Sequence, residues 1–216
     1  MNSNSLVDNA LSNSIARQIA DQIILGELKP GEKLIEKEYA DAFGTSRAPV
    51  REAIYKLTTE GLVERIPRKG AIVKKYTEDE IFDLLEIRKS LENLAVTRIK
   101  KIGVDSTIIE EMRQILDQMK AETDVVSHTK LNYAFHFCIV QMSKSEPIRK
   151  VYSTLGFPLL GVQKFSFMKD GNIARALIEH ELIFNLLYEN NFTELSSILE
   201  GHNEAVILSV QQFLQS

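Results

Sequence analysis

The sequence predicts a mainly α protein in two parts, a small unit of helices with one β-hairpin followed by an all-helical bundle of six or seven helices. Three observations carry this. Apolar residues recur every three or four positions over most of the chain, the period of a helix with one buried face. β-Branched, strand-like segments occur at 62–66 and 71–73, with Pro67-Arg68-Lys69-Gly70 between them, which reads as a hairpin. After Thr77 strand patterns stop and Gly is sparse.

Taken in order, Ile15, Ala16, Ile19, Ala20 and Ile23 define a first helix. It should end near Leu28-Lys29-Pro30-Gly31, because Pro and Gly both punctuate there. Leu34 and Ile35 suit a short extended piece. Glu36 to Phe43 reads as a two-turn helix, with Gly44 supplying a left-handed residue after it. Ser46 is placed to cap the next helix, and Pro49 is tolerated in its first turn. Val50, Ile54 and Leu57 share the buried face of that helix, which ends near Gly61. The hairpin follows. Residues 74–78 form the boundary, which sets domains at 1–75 and 78–216. Helices are expected near 78–101, 104–122, 127–142, 146–167, 172–190 and 192–214. Thr77-Glu78-Asp79-Glu80 and Ser143-Lys144-Ser145-Glu146 both have capping-box form.

A length of 216 residues is comfortable for two ordinary domains. The 44% hydrophobic content excludes collagen-like and largely disordered classes. A single cysteine, Cys138, excludes a disulfide framework and fits a reducing compartment. No run approaches the ~18–20 apolar residues of a membrane span, and the N-terminus has neither a basic nor an apolar leader region. A cytoplasmic protein with no membrane partner is the expectation. The net charge of −4 hides an asymmetry: residues 1–77 hold 12 Lys and Arg against 10 Asp and Glu, and 44–75 alone hold 8 against 3. A basic stretch on an acidic protein suggests a face for a polyanion, although a solvated surface looks the same by charge alone.

Two helices joined at a Gly-containing turn and followed by a hairpin make a winged helix-turn-helix pattern. Arg47 and Arg51, at i and i+4, project together from the start of the second helix, where a recognition helix meets base edges. Arg suits bidentate contact with guanine or phosphate. Thr45, Ser46 and the free N–H groups of the helix start can hold a phosphate. Arg68, Lys69 and Gly70 put two cations and a flexible backbone at the hairpin tip, against the minor groove or the phosphates. Each feature alone is ordinary; the ordered set points to double-stranded DNA.

The helical part carries His136, His180 and His202 on apolar stripes of three helices. Asn132 stands one turn before His136. Converging imidazoles would suit a divalent metal such as Zn, Ni or Mn; separate core histidines bonded to carbonyls or hydroxyls are the reading that the spacing by itself favours, since it does not show convergence. His128 is expected in solvent near its helix start. Arg88 interrupts the apolar face of Leu84, Leu91 and Ala95. It either pairs with Glu92 four residues on or meets a ligand carboxylate. Tyr133 and Tyr152 are candidates for the same cavity, or for packing. No H-E-x-x-H, G-x-S-x-G or P-loop motif occurs, so catalysis has little support.

Leu28-Lys29-Pro30-Gly31-Glu32-Lys33-Leu34, Ala40 to Ile54 (ADAFGTSRAPVREAI) and Glu60-Gly61-Leu62-Val63 resemble the DNA-binding domain of GntR-family transcriptional regulators over roughly residues 11–75. The resemblance implies operator contacts from Arg47, Arg51 and Gly70, and from Lys37 as a further basic residue. Leu131 to His136, Glu179-His180-Glu181 and Gly201-His202 resemble the all-helical FCD effector domain of the FadR subfamily. That implies a homodimer on a pseudo-palindromic operator, repression as the commoner mode, and a small organic acid as effector. It also implies a metal at Asn132, His136, His180 and His202, with Asn132 standing where the family has Asp. Asn offers an amide oxygen but no charge. The alternative is a metal-free regulator whose C-terminal part only dimerises.

Overall fold

The computed structural model describes residues 3–68 and 70–215, with side chains from residue 10 onward. The chain divides into two compact units, Met1–Tyr76 and Thr77–Ser216.

In the first unit, α1 (Ser3–Leu25) buries Ile15, Ala16, Ile19, Ala20 and Ile24. It stops at Leu25, earlier than the Pro-Gly pair suggests. Gly26 takes φ 79°, and the Glu27 and Leu28 N–H groups turn back to the Gln22 carbonyl, which closes the helix end. α2 (Glu36–Ala42) and α3 (Arg47–Thr59) are joined through Gly44 at φ 60°. α3 buries Val50, Ala53, Ile54 and Leu57, the face its spacing predicts. β2 (Val63–Ile66) and β3 (Gly70–Val73) form the hairpin. The extended piece at Lys33–Leu34 is a true strand, β1, paired antiparallel to β3 with Leu34 opposite Ala71. The sheet order is therefore β1-β3-β2, and the third strand ties the wing to the segment entering α2.

The second unit has α4 (Glu78–Ile102), α5 (Ser106–Ala121), α6 (Val125–Met142), α7 (Glu146–Thr154), α8 (Gly156–Phe167), α9 (Asn172–Tyr188) and α10 (Phe192–Leu214). The Thr77 capping box forms in full: Glu80 N–H donates to Thr77 Oγ1 at 3.2 Å and Thr77 N–H to Glu80 Oε2 at 2.9 Å. The expected box at Ser143 does not. Lys144 adopts φ 52° and reverses the chain, so the cap falls to Ser145, whose Oγ accepts from Ile148 N–H. The single helix expected over 146–167 is two. Pro158 lacks the N–H that would reach the Thr154 carbonyl, and the break falls at Leu155. There Gly156 lies against Tyr133: a Cβ would stand 3.1 Å from the Tyr133 hydroxyl.

Five helices share one apolar core, with Val96 and Ile99 of α4, Met112 of α5, Phe135 and Ile139 of α6, Leu187 of α9 and Leu199 of α10 among its members. On α4, α6, α9 and α10 the residues next along the buried face are polar: Arg88 and Glu92, Asn132 and His136, His180, and His202 and Asn203, all buried. The bundle therefore has an apolar layer and, beside it, a polar one.

Candidate DNA-reading face and buried histidine centre

Arg47 and Arg51 are exposed at the start of α3, and Lys37 is exposed on α2. Arg51 is held in the free protein by Glu36: its Nη2 donates to Oε2 at 3.0 Å and its Nε to Oε1 at 3.2 Å. That hydrogen bond, with the charges of Arg51, Arg65 and Arg47 nearby, holds the Glu36 carboxyl below its ordinary value despite some burial. Glu36 thus marks where three guanidinium groups gather. Arg65 was not singled out from sequence; its outward place on β2 was the available signal. Ser46 stands at the N-cap position but makes no side-chain capping bond, and the Thr45 N–H is used by the Ala40 carbonyl. Gly70 and Arg68 carry φ of 88° and 66° at the hairpin tip, a tight exposed turn. Lys69 lies outside the described residues.

The three histidines converge. His136 Nε2 lies 3.2 Å from His180 Nε2 and 3.2 Å from His202 Nε2. All three rings are buried. The opposite nitrogens of two of them face carboxylates: His136 Nδ1 is 3.2 Å from Glu92 Oε2, and His202 Nδ1 is 2.6 Å from Glu179 Oε2. A carboxylate favours the proton on the nitrogen beside it. With the Nε2 atoms grouped this closely, either one ring donates its Nε2 proton to a neighbour or the group holds a cation. Nitrogens bound at the 2.0–2.1 Å of a zinc–nitrogen bond stand roughly 3.3 Å apart in a tetrahedron, so the spacing fits a metal. Burial first, then the Arg88 charge, pushes the His136 imidazole down to about 3. Burial and the neighbouring imidazoles hold His180 well below the ordinary histidine value. Neutral rings are what a metal requires.

Glu92 anchors the layer. Its Oε1 accepts from Arg88 Nε at 2.8 Å and from Tyr152 Oη at 2.9 Å, and its Oε2 accepts from Asn203 Nδ2 at 2.9 Å. Burial alone would raise this carboxyl; Arg88, His136 and Asn203 outweigh it and hold the group ionised. The Arg88–Glu92 pair is thus real, yet Arg88 Nη2 is buried with no partner. The Gln163 carboxamide sits between Arg88 and Asn132. Its oxygen accepts either from Asn132 Nδ2 at 3.2 Å or, rotated, from Arg88 Nη1 and Nε. In the first orientation Asn132 Oδ1 is buried without a partner.

His128 contradicts the expectation of a solvent position. It is fully buried, because it stands edge-on to Phe167 with ring centroids 4.9 Å apart. Tyr133 packs against Tyr152 and Phe137 at 5.6 and 5.9 Å, and burial raises its hydroxyl to about 12. Of the two tyrosines, Tyr152 is the one that reaches the polar layer. Glu92 was legible as a partner of Arg88. Gln163, Glu179 and Asn203 were not, since no spacing rule relates them to residues on other helices.

A winged helix-turn-helix unit with a basic face, followed by a helical bundle with a polar layer beside its apolar core, is the architecture of a DNA-binding regulator with a second, helical domain. Residues 11–73 match the family of bacterial regulatory proteins named gntR, and residues 83–205 match the FCD domain. The chain belongs to the GntR family of transcriptional regulators, in its FCD-bearing FadR subfamily. It is 33% identical to the Nta operon transcriptional regulator of Aminobacter aminovorans, over 81% of this chain and 82% of that one. It is 28% identical to the gluconate operon transcriptional repressor of Bacillus subtilis, over 78% and 72%. A solved GntR-type protein from Rhodococcus has the same fold, with a TM-score of 0.77 at 23% identity, over 95% of this chain and 98% of that one. These relatives are regulators, not enzymes. Among the described residues no helix is long and apolar enough to cross a membrane.

Proposed function

We propose that this chain is a repressor whose grip on operator DNA is changed by a small carboxylate bound beside a divalent metal. The carrying observation is the convergence of His136, His180 and His202, with His136 Nε2 3.2 Å from the Nε2 of each of the other two and the opposite nitrogens of His136 and His202 beside Glu92 and Glu179. His136, His180 and His202 would hold Zn, Ni or Mn, and Asn132 Oδ1 is the available fourth donor. The bound metal would supply a Lewis-acidic centre for one carboxylate oxygen. Arg88 Nη2, unpartnered in the same layer, would pair with the carboxylate.

On the DNA side, Arg47 and Arg51 would read base edges or phosphates from α3. Lys37, Thr45 and Ser46 would hold the backbone beside them, and Arg68, Lys69 and Gly70 would enter from the wing. Ser46 supports this by leaving its hydroxyl uncommitted to capping. A second copy would pack on α4, where Ile87 and Leu94 are exposed one heptad apart, with half-buried Leu91 between them and half-buried Leu84 one turn before Ile87. Twofold symmetry then calls for a pseudo-palindromic operator. The effector acts only if it binds one DNA-binding state better than the other.

The test is fluorescence anisotropy on the DNA upstream of the chain's own gene, with and without zinc and a panel of small carboxylates. Arg51→Ala should lose ten-fold or more in specific affinity, from a bidentate contact worth about 1–3 kcal/mol. His180→Ala should keep its DNA affinity and lose the carboxylate response. Unchanged operator affinity in Arg51→Ala would remove the DNA assignment. A response that survives in His180→Ala would remove the effector site.

A further inference from the structure

His128 is a buried polar side chain that the proposed metal and carboxylate contacts leave unexplained. Neither of its ring nitrogens has a partner, and leaving such a group unsatisfied is costly. Its position continues the site. α6 and α8 meet rung by rung: Asn132 faces Gln163 at 3.2 Å, and His128, one turn before Asn132, faces Phe167, one turn after Gln163. His128, Asn132 and His136 therefore step along one line of α6, with a rise of about 5.4 Å per turn. His128 is also near enough to His180 to contribute to that ring's depressed basicity.

We infer that His128 is a second recognition group of the effector site, donating a hydrogen bond to an oxygen at the far end of an effector whose near carboxylate meets Arg88 and the histidine centre. The inference rests on the effector site proposed above. It narrows the effector class to short acids with a second oxygen-bearing group, a carboxylate or a hydroxyl, about one helical turn from the carboxylate oxygen that Arg88 meets beside the Asn132–Gln163 rung. Phe167 supplies the apolar wall for the carbons between them. A neutral imidazole carries one N–H and one acceptor nitrogen, so it serves either terminal group.

The experiment uses full-length zinc-loaded protein and calorimetric titration with butyrate, 4-hydroxybutyrate and succinate, which share a four-carbon backbone. The wild type should bind at least one of the two oxygen-ended acids about ten-fold more tightly than butyrate, the worth of one well-made hydrogen bond to a buried donor. His128→Leu should erase that preference while leaving butyrate affinity and zinc content unchanged, and His128→Gln, which keeps a donor, should restore much of it. Equal affinity for all three acids in the wild type, with butyrate binding still lost in Arg88→Met, overturns the role of His128 and leaves the site standing. Butyrate binding that Arg88→Met and His136→Ala do not alter overturns the site and this inference together. Should His128→Leu not fold, the wild-type ranking and His128→Gln decide.

Discussion

Glu92 is the residue on which the polar layer depends. Its carboxylate meets Arg88, Tyr152, Asn203 and His136, so removing it leaves a buried guanidinium without a counter-charge. Glu92→Ala is expected to cost about 3–5 kcal/mol in urea unfolding, the usual result of breaking one half of a buried pair. Tyr152→Phe removes one hydrogen bond to the same carboxylate and should cost about 1 kcal/mol. The layer also makes the metal-free protein acid-sensitive. His136 has its pKa pushed from 6.5 to about 3 by burial and Arg88. Between those values the unfolded chain binds a proton that the folded one refuses. Stability is therefore full above pH 6.5 and declines as pH falls toward 3, with a slope of up to about 1.4 kcal/mol per pH unit from this group. The Glu92 carboxyl, also depressed, adds to the loss below its ordinary value of 4.5. Urea midpoints of chelator-treated protein at pH 7.5 and pH 5 should differ in that sense; a midpoint that rises at pH 5 would contradict the buried neutral histidines.

At the scale of elements, local chemistry was the most legible part of the chain. The Thr77 box, the Gly44 turn and the buried face of α3 follow from rules that act within four residues. Thr77→Ala should lower stability by about 1 kcal/mol in the helical unit, read by thermal melting. Three elements resisted the same rules. The end of α1 was placed at Pro30 when Gly26 already closes it. The break at Leu155 needed the missing N–H of Pro158 to be weighed against a continuous apolar run. The cap of α7 passed from Ser143 to Ser145 because Lys144 takes a left-handed turn that spacing does not reveal. The site behaves similarly. Three histidines on apolar stripes were visible one helix at a time, whereas their meeting at 3.2 Å depends on how α6, α9 and α10 pack. Edge-on packing against Phe167 buries His128, and Phe167 lies on α8, far along the chain.

The whole molecule joins a basic DNA-reading unit to a bundle whose mainly apolar interior carries one polar layer. An apolar layer alone would have held the bundle together more cheaply, since buried charges rarely add net stability. The polar layer is where the proposed metal and carboxylate would sit. Arg88 shows the division within one side chain: Nε fastens to Glu92 while Nη2 is buried without a hydrogen-bond partner. The central claim is that His136, His180 and His202 enclose a cation. It is tested most directly by elemental mass spectrometry of untagged protein purified without chelator. About one transition-metal ion per chain is expected, lost in His136→Ala. Protein that carries no metal, and takes up none after dialysis against Zn, Ni and Mn, would contradict it.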